Sequence, residues 1–200
     1  MNARRSVVAV AALGVAAGMA IMVAPGAGAD PGTAPAGAAG SKRVRILDDC
    51  DPATFNAAFG AGTCQGGGRT TVNDFFGQFA TTGAVKGWAF KPDDVHVHAG
   101  RDLHVVNQGG EFHTFSEVAD FGGGCIPVLN APGQAMVPEC AARAADGTPL
   151  VFATTGVGSG GTRHVPGLSP GTHKFECLIH PWMRSVVEVR ADEDGGHHLG

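Results

Sequence analysis

A chain of 200 residues and 20.2 kDa has the size of one domain with extensions, since compact domains run about 100–200 residues, and this argues against a two-domain enzyme. With 44% hydrophobic and 16% charged residues, 32 Gly and 12 Pro, it is neither a charge-driven disordered chain nor a long-helical one. The formal net charge is −4, and the longest basic run is Lys42-Arg43-Val44-Arg45, which argues against nucleic acid as a partner.

Residues 1–29 read as a signal peptide. Arg4 and Arg5 form a basic start, Ser6 to Val23 is apolar, and Ala27-Gly28-Ala29 supplies small residues for cleavage before Asp30. The apolar run is at the short end of the ~17–25 residues a span requires, so membrane tethering arises only if the segment stays uncleaved. Losing the two arginines leaves 12 basic against 18 acidic residues, a mature charge of about −6. The protein is therefore expected to be secreted or extracytoplasmic, in the cell envelope. Residues 30–42, almost all Ala, Gly and Pro at their start, read as a flexible leader.

Export places five cysteines where disulfides persist. Residues 43–82 read as a disulfide-stapled helical segment. Cys50 and Cys64 bracket a stretch in which Asp51 caps a helix, Pro52 takes its first position and Gly60 ends it. Cys125 and Cys140 bracket a loop of similar length, and this local pairing leaves Cys177 over. The other two connectivities of the four cysteines stay open. A second short helix is expected from the spacing of Val72, Phe75, Phe76 and Phe79.

From Val85 onward, β-rich pieces of four to seven residues lie between turn signals, the pattern of a sandwich or small barrel. The expected strands are 85–90, 95–99, 103–107, 112–118, 150–154, 161–165, 173–177 and 185–190. Alternation points Val95, Val97, Val187 and Val189 inward and His96 and His98 outward. Residues 192–200, with His197 and His198, read as a disordered tail.

One loop carries the chemistry. Cys177, His180 and Met183 place a thiol, an imidazole and a thioether within seven residues, a soft donor set that suits copper. His113, among Phe112 and Phe115, is the best candidate for a second imidazole, and two His, one Cys and a weak axial Met is the blue-copper geometry. Other readings of the remaining residues are a solvated strand-end acid at Glu117, a surface pair at His96 and His98, and surface positions at His164 and His173.

The run Cys177-Leu178-Ile179-His180-Pro181-Trp182-Met183-Arg184, with Val105-Val106-Asn107 and His113-Thr114-Phe115, resembles the cupredoxins, and the ligand loop is most similar to that of the amicyanins. The resemblance covers about half the chain, and it assigns residues 83–191 to a cupredoxin-like domain. It implies an all-β, Greek-key β-sandwich, here preceded by the stapled helical segment, with one copper ion on His113, Cys177, His180 and axial Met183. It also implies a loop-tying role for Asn107 and an apolar rim of Ile179, Pro181 and Trp182 through which electrons leave, with Trp182 turned inward as core as the alternative. Ser185 departs from the family, where Gly commonly follows, and so does the long interval from His113 to Cys177.

Together these imply a non-catalytic one-electron carrier acting with a redox protein partner and no small-molecule substrate. Cys177 lies between Glu176 and Leu178 rather than in the His-Cys-His run of a multicopper oxidase. The alternative readings are a protein that sequesters or delivers copper, and a copper-free interaction module. Extra methionine ligands for copper handling are few: beyond Met183 the mature chain retains Met136.

Overall fold

The computed structural model describes residues 41–191. The expected signal peptide 1–29, residues 30–40 of the expected leader 30–42, and the expected tail 192–200 with His197 and His198 lie outside the described residues, while Lys42 from the end of that leader already belongs to the first strand.

The chain enters on β1 (Lys42–Leu47), where alternation buries Val44 and Ile46 and exposes Arg43 and Arg45. This strand runs antiparallel to β2 (Ala89–Lys91) and parallel to β4 (Leu103–Asn107), whose other edge takes β8 (Thr162–Val165). The first sheet thus has the order β2-β1-β4-β8. In the second sheet, β10 (Arg184–Arg190) pairs in parallel with β3 (Asp94–His98) and antiparallel with β9 (Gly171–Glu176), which pairs in turn with β6 (Ser116–Val118). A separate two-stranded ribbon joins β5 (His113–Thr114) to β7 (Gly156–Val157). One apolar core fills the space between the sheets: Val44, Ile46, Phe90, Leu103 and Val105 from the first meet Val95, Val97, Phe175, Val187 and Val189 from the second.

Two helices lie between β1 and β2. The first, α1 (Pro52–Phe59), starts where Asp51 Oδ1 accepts the Thr54 N–H at 2.8 Å and stops at Gly60, whose φ of 107° suits glycine. The second, α2 (Val72–Thr82), opens with a capping box between Thr71 and Asp74 and ends in left-handed Gly83. Their apolar faces bury Phe55 and Phe75 against Trp88, with ring centroids 5.7 Å apart for the Phe pair and 5.3 Å for Phe75 and Trp88. The rings join the sandwich core, so the helices cap one end of it. Both disulfides form in the favoured pairing, Cys50 with Cys64 and Cys125 with Cys140, and Cys177 is a buried free thiol.

Four local expectations are corrected. Residues 43–47, expected within the helical segment, form an inner strand of the first sheet. Residues 150–154, expected as a strand from their Leu, Val and Thr content, lie largely in α3 (Val151–Thr155). There Val151 and Phe152 pack on the cluster around Leu178, and tertiary contact overrides β-propensity. The expected strand 112–118 breaks at Phe115, whose N–H bonds to the Thr155 carbonyl instead of a ladder partner. The expected strand 85–90 shortens to β2, because Val85 to Trp88 closes a turn through Trp88 N–H to the Val85 carbonyl.

The Cys50–Cys64 bridge spans 14 residues, for which loop closure predicts about 3 kcal/mol of stabilisation. Replacing both cysteines by Ser is expected to lower the unfolding free energy by about that amount, measured by urea titration of wild type and variant side by side.

Candidate metal centre

The segment from Cys177 to Met183 leaves the end of β9 and returns into β10, and it closes on itself. The Cys177 N–H donates to the Met183 carbonyl at 3.0 Å and the Met183 N–H to the His180 carbonyl at 2.9 Å. Thr114, next to His113 on β5, ties this loop to the ribbon: its hydroxyl accepts the Leu178 N–H at 2.7 Å. Two strands distant in sequence therefore bring His113, Cys177 and His180 to one point.

Cys177 Sγ lies 3.7 Å from His113 Nδ1 and 3.9 Å from His180 Nδ1, and the two nitrogens are 3.2 Å apart. A point equidistant from three atoms at those spacings is about 2.1 Å from each, the length of a metal–nitrogen bond and close to that of a metal–thiolate bond. All three residues are buried. Met183, the fourth candidate, is also buried, in the same core at the end of the loop. A thiol and two imidazoles turned inward on one point fit a soft ion such as copper.

The electrostatics favour an ionised pair. Burial opposes charge on Cys177, but the facing His113 and His180 rings outweigh it and hold the thiol well below its ordinary value. Burial likewise opposes a charged His113, yet Asp48 and the Cys177 sulfur push that ring up to about 9. Glu176, adjacent to Cys177 and fully buried, is pushed by burial up to about 7 although Arg184 Nε stands 3.2 Å from its carboxylate.

Two carboxylates behind the histidines were not anticipated from the sequence. Asp48 Oδ2 accepts His113 Nε2–H at 2.8 Å, with both side chains out of water. Glu111 Oε2 faces His180 Nε2 at 3.8 Å and accepts the Trp88 indole N–H at 2.8 Å. For Glu111 the signal was only its nearness to His113 in sequence, since it lies in a bend before β5 and its carboxylate faces His180. For Asp48 there was none: it lies 65 residues from His113 and acts through the unforeseen strand β1.

Asn107 ties loops as expected. Its side-chain amide donates to the carbonyls of Glu111 at 2.7 Å and Val157 at 2.9 Å, while its Oδ1 accepts the Gly109 N–H at 2.9 Å. Of the two readings of the rim, the structure takes the inward one: Pro181 is buried, Ile179 and Trp182 are half-buried against the core, and rings of the second helix lie against Trp182. Trp182 packs on Phe79 at 5.2 Å, and the His180 ring is 5.3 Å from Trp182 and 6.0 Å from Phe75. Phe112, expected in the apolar shell, is 43% exposed and packs toward Phe152 instead.

The remaining candidates lie elsewhere. Glu117 is exposed and pairs with His173 Nδ1 at 2.6 Å. His164 stacks on His104, and His96 and His98 share the exposed face of β3, where His96 pairs with Asp94.

No family model matches the chain, and no curated protein does. Among solved structures, it is similar to a purple cupredoxin from Nitrosopumilus maritimus at 13% identity, over 74% of this chain and 99% of that one, with a TM-score of 0.38. It is similar to an oxidized proline-to-glycine variant of amicyanin at 13% identity, over 78% and 89% of the two chains, with a TM-score of 0.36. A methionine-to-alanine variant of amicyanin in the Cu(I) form gives 16% identity over 51% and 73%, with a TM-score of 0.31. The chain itself shows two packed four-stranded sheets with a His–Cys–His cluster where β5 and the β9–β10 loop meet.

Removing the Asn107 amide leaves two buried carbonyls and one N–H without their partner, each costing about 1–3 kcal/mol. Asn107→Ala is expected to lose at least about 2 kcal/mol of stability in chemical denaturation.

Proposed function

We propose that this protein is an exported type 1 copper protein that carries one electron at a time between redox partners. His113, Cys177 and His180 hold the ion through Nδ1, Sγ and Nδ1, and Met183 is the weak axial ligand. The observation that carries the reading is the buried convergence of those three donor atoms at 3.2–3.9 Å. Copper held there supplies a one-electron couple between Cu(I) and Cu(II).

The chain's own task is to keep its donors still and dry while charge changes. The loop closed between Cys177 and Met183 limits ligand movement, and Phe75, Trp182 and the buried Pro181 exclude water from the His180 side. A closed, dry site favours electron transfer over catalysis, which needs an open coordination position. It also favours a resident ion over a delivered one, because a cargo ion has to leave. Two disulfides fit an extracytoplasmic setting, where the partner is a redox protein that approaches over the helical cap.

The decisive experiment is titration of the mature, disulfide-intact protein with Cu(II), followed by visible absorption and electron paramagnetic resonance. An intense blue thiolate-to-copper band that saturates at one equivalent, with narrow hyperfine splitting, is expected. A colourless protein that binds only Cu(I) would overturn the carrier reading in favour of copper handling. Cys177→Ala is expected to abolish the band. Met183→Leu is expected to retain copper and raise the reduction potential, as loss of a weak axial donor destabilises the oxidised ion.

A further inference from the structure

We propose that Asp48 is a positioning residue for the His113 imidazole, acting through Nε2, and that the buried carboxylates of Asp48 and Glu111 bias the centre toward the oxidised ion. The inference rests on the copper reading above and deepens it by naming what sets the centre's preference between oxidation states.

The hydrogen bonds of Asp48 fix the direction of His113. Oδ1 accepts N–H groups from Cys50 at 3.2 Å and Gly110 at 2.9 Å, and Oδ2 accepts the Glu111 N–H at 3.1 Å. Three backbone donors already converge on this carboxylate, so it meets His113 as an acceptor and the ring must present its proton at Nε2. That leaves Nδ1 as the atom turned toward Cys177 and His180, the arrangement by which a carboxylate behind a histidine sets its tautomer and raises its basicity. The backbone is shaped for this contact: a side chain at Gly109 would collide with the Asp48 carboxylate, so glycine there lets the loop close on it.

Glu111 Oε2 stands 3.8 Å from His180 Nε2, beyond hydrogen-bond length, so it acts on that side of the centre by charge rather than by a bond. Its side chain is 10% exposed, Oε2 is anchored by the Trp88 indole, and Trp88 is packed between Phe55 and Phe75 of the helical cap. The cap therefore has a role beyond covering the sandwich, because through Trp88 it places a carboxylate opposite the outer nitrogen of His180.

Asp48, Glu111 and His113 also offer ligand atoms within 4.8 Å of one another, the arrangement of a second cation site. The donors argue otherwise. Of the two carboxylates, Asp48 has both oxygens filled by four N–H groups, His113 Nε2–H among them, and Glu111 already takes the Trp88 N–H, so at most one carboxylate is left to bind an ion. What reaches the copper position from them is charge. With the Cys177 thiolate, two carboxylates place three negative groups around one buried point, where screening is weaker than in water. Fixed negative charge stabilises Cu(II) more than Cu(I), so removing either carboxylate shifts the balance toward Cu(I).

The test uses the full, disulfide-intact chain with Asp48→Asn and Glu111→Gln. In the copper-loaded protein each variant is expected to keep one equivalent of copper and its blue band. Each is also expected to raise the midpoint potential, with the ratio of Cu(II) to Cu(I) affinity falling by at least about tenfold. In the copper-free protein, proton NMR is expected to show an exchange-protected downfield resonance from His113 Nε2–H that Asp48→Asn loses and Glu111→Gln retains. Unchanged potentials in both variants would overturn the charge bias, and an unchanged Nε2–H resonance in Asp48→Asn would overturn positioning. A second equivalent of metal in wild type that both variants lose would replace the proposal with a second cation site. If the wild type takes up no copper, the copper reading has failed, while the copper-free NMR comparison still decides whether Asp48 positions His113. Should Asp48→Asn fail to fold, Glu111→Gln carries the potential measurement alone.

Discussion

Removing a thiol and two imidazoles from water is the constraint on which the rest of this structure depends. A buried polar atom without a partner costs about 1–3 kcal/mol, and a buried charge more. Each nearby departure from a plain β-sandwich meets part of that demand. Asp48 takes the outer nitrogen of His113, and Glu111 with Trp88 faces that of His180. Thr114 takes an N–H of the ligand loop, and Asn107 holds the two segments that flank His113. The result is a network in which nearly every member is satisfied by a residue far away in sequence, so the site forms only when both sheets, the ribbon and the cap are in place.

The helical cap follows from the same constraint. A sandwich end that carries two buried histidines would leave one ring edge in water. Here α2 lays Phe75 over His180, and Phe79 over Trp182. Aromatic contacts of this kind contribute about 0.5–1.5 kcal/mol each beyond the area they bury, so the cap stabilises itself while drying the site. The Cys50–Cys64 bridge anchors the first helix next to the strand that delivers Asp48. Fixing that short connection limits how far the carboxylate can move from His113.

What could be read from the sequence divides along a physical line. The Cys177–Met183 loop was legible because all its chemistry lies within seven residues, and the short strands after Val85 were largely legible because half-buried strands alternate. The caps of α1 were legible because Asp51, Pro52 and Gly60 are local signals, and α2 was legible from the spacing of Val72, Phe75, Phe76 and Phe79, though not its caps. Strand β1 was missed although Arg43-Val44-Arg45-Ile46 alternates, since its neighbours are a small-residue leader and a cysteine-stapled helix and its partners lie more than 40 residues on. Missing β1 meant missing Asp48. The error over Val151–Thr155 is of a different kind: its residues favour strands, and only packing against Leu178 makes them a helix.

In the carrier reading, the covered His180 edge changes what a redox partner meets. With His180 beneath Phe75 and Trp182, electrons passing by that edge cross at least one further ring before reaching solvent. Phe75 leads to Phe76 at 5.2 Å and Phe76 to Phe59 at 6.4 Å, and both outer rings are exposed. Extra distance slows transfer, while exclusion of water lowers the reorganisation that accompanies each change of charge. A site built this way trades some rate for isolation, so in the carrier reading the chemistry of its partner is written on the outer face of the helical cap rather than on the ligand loop itself.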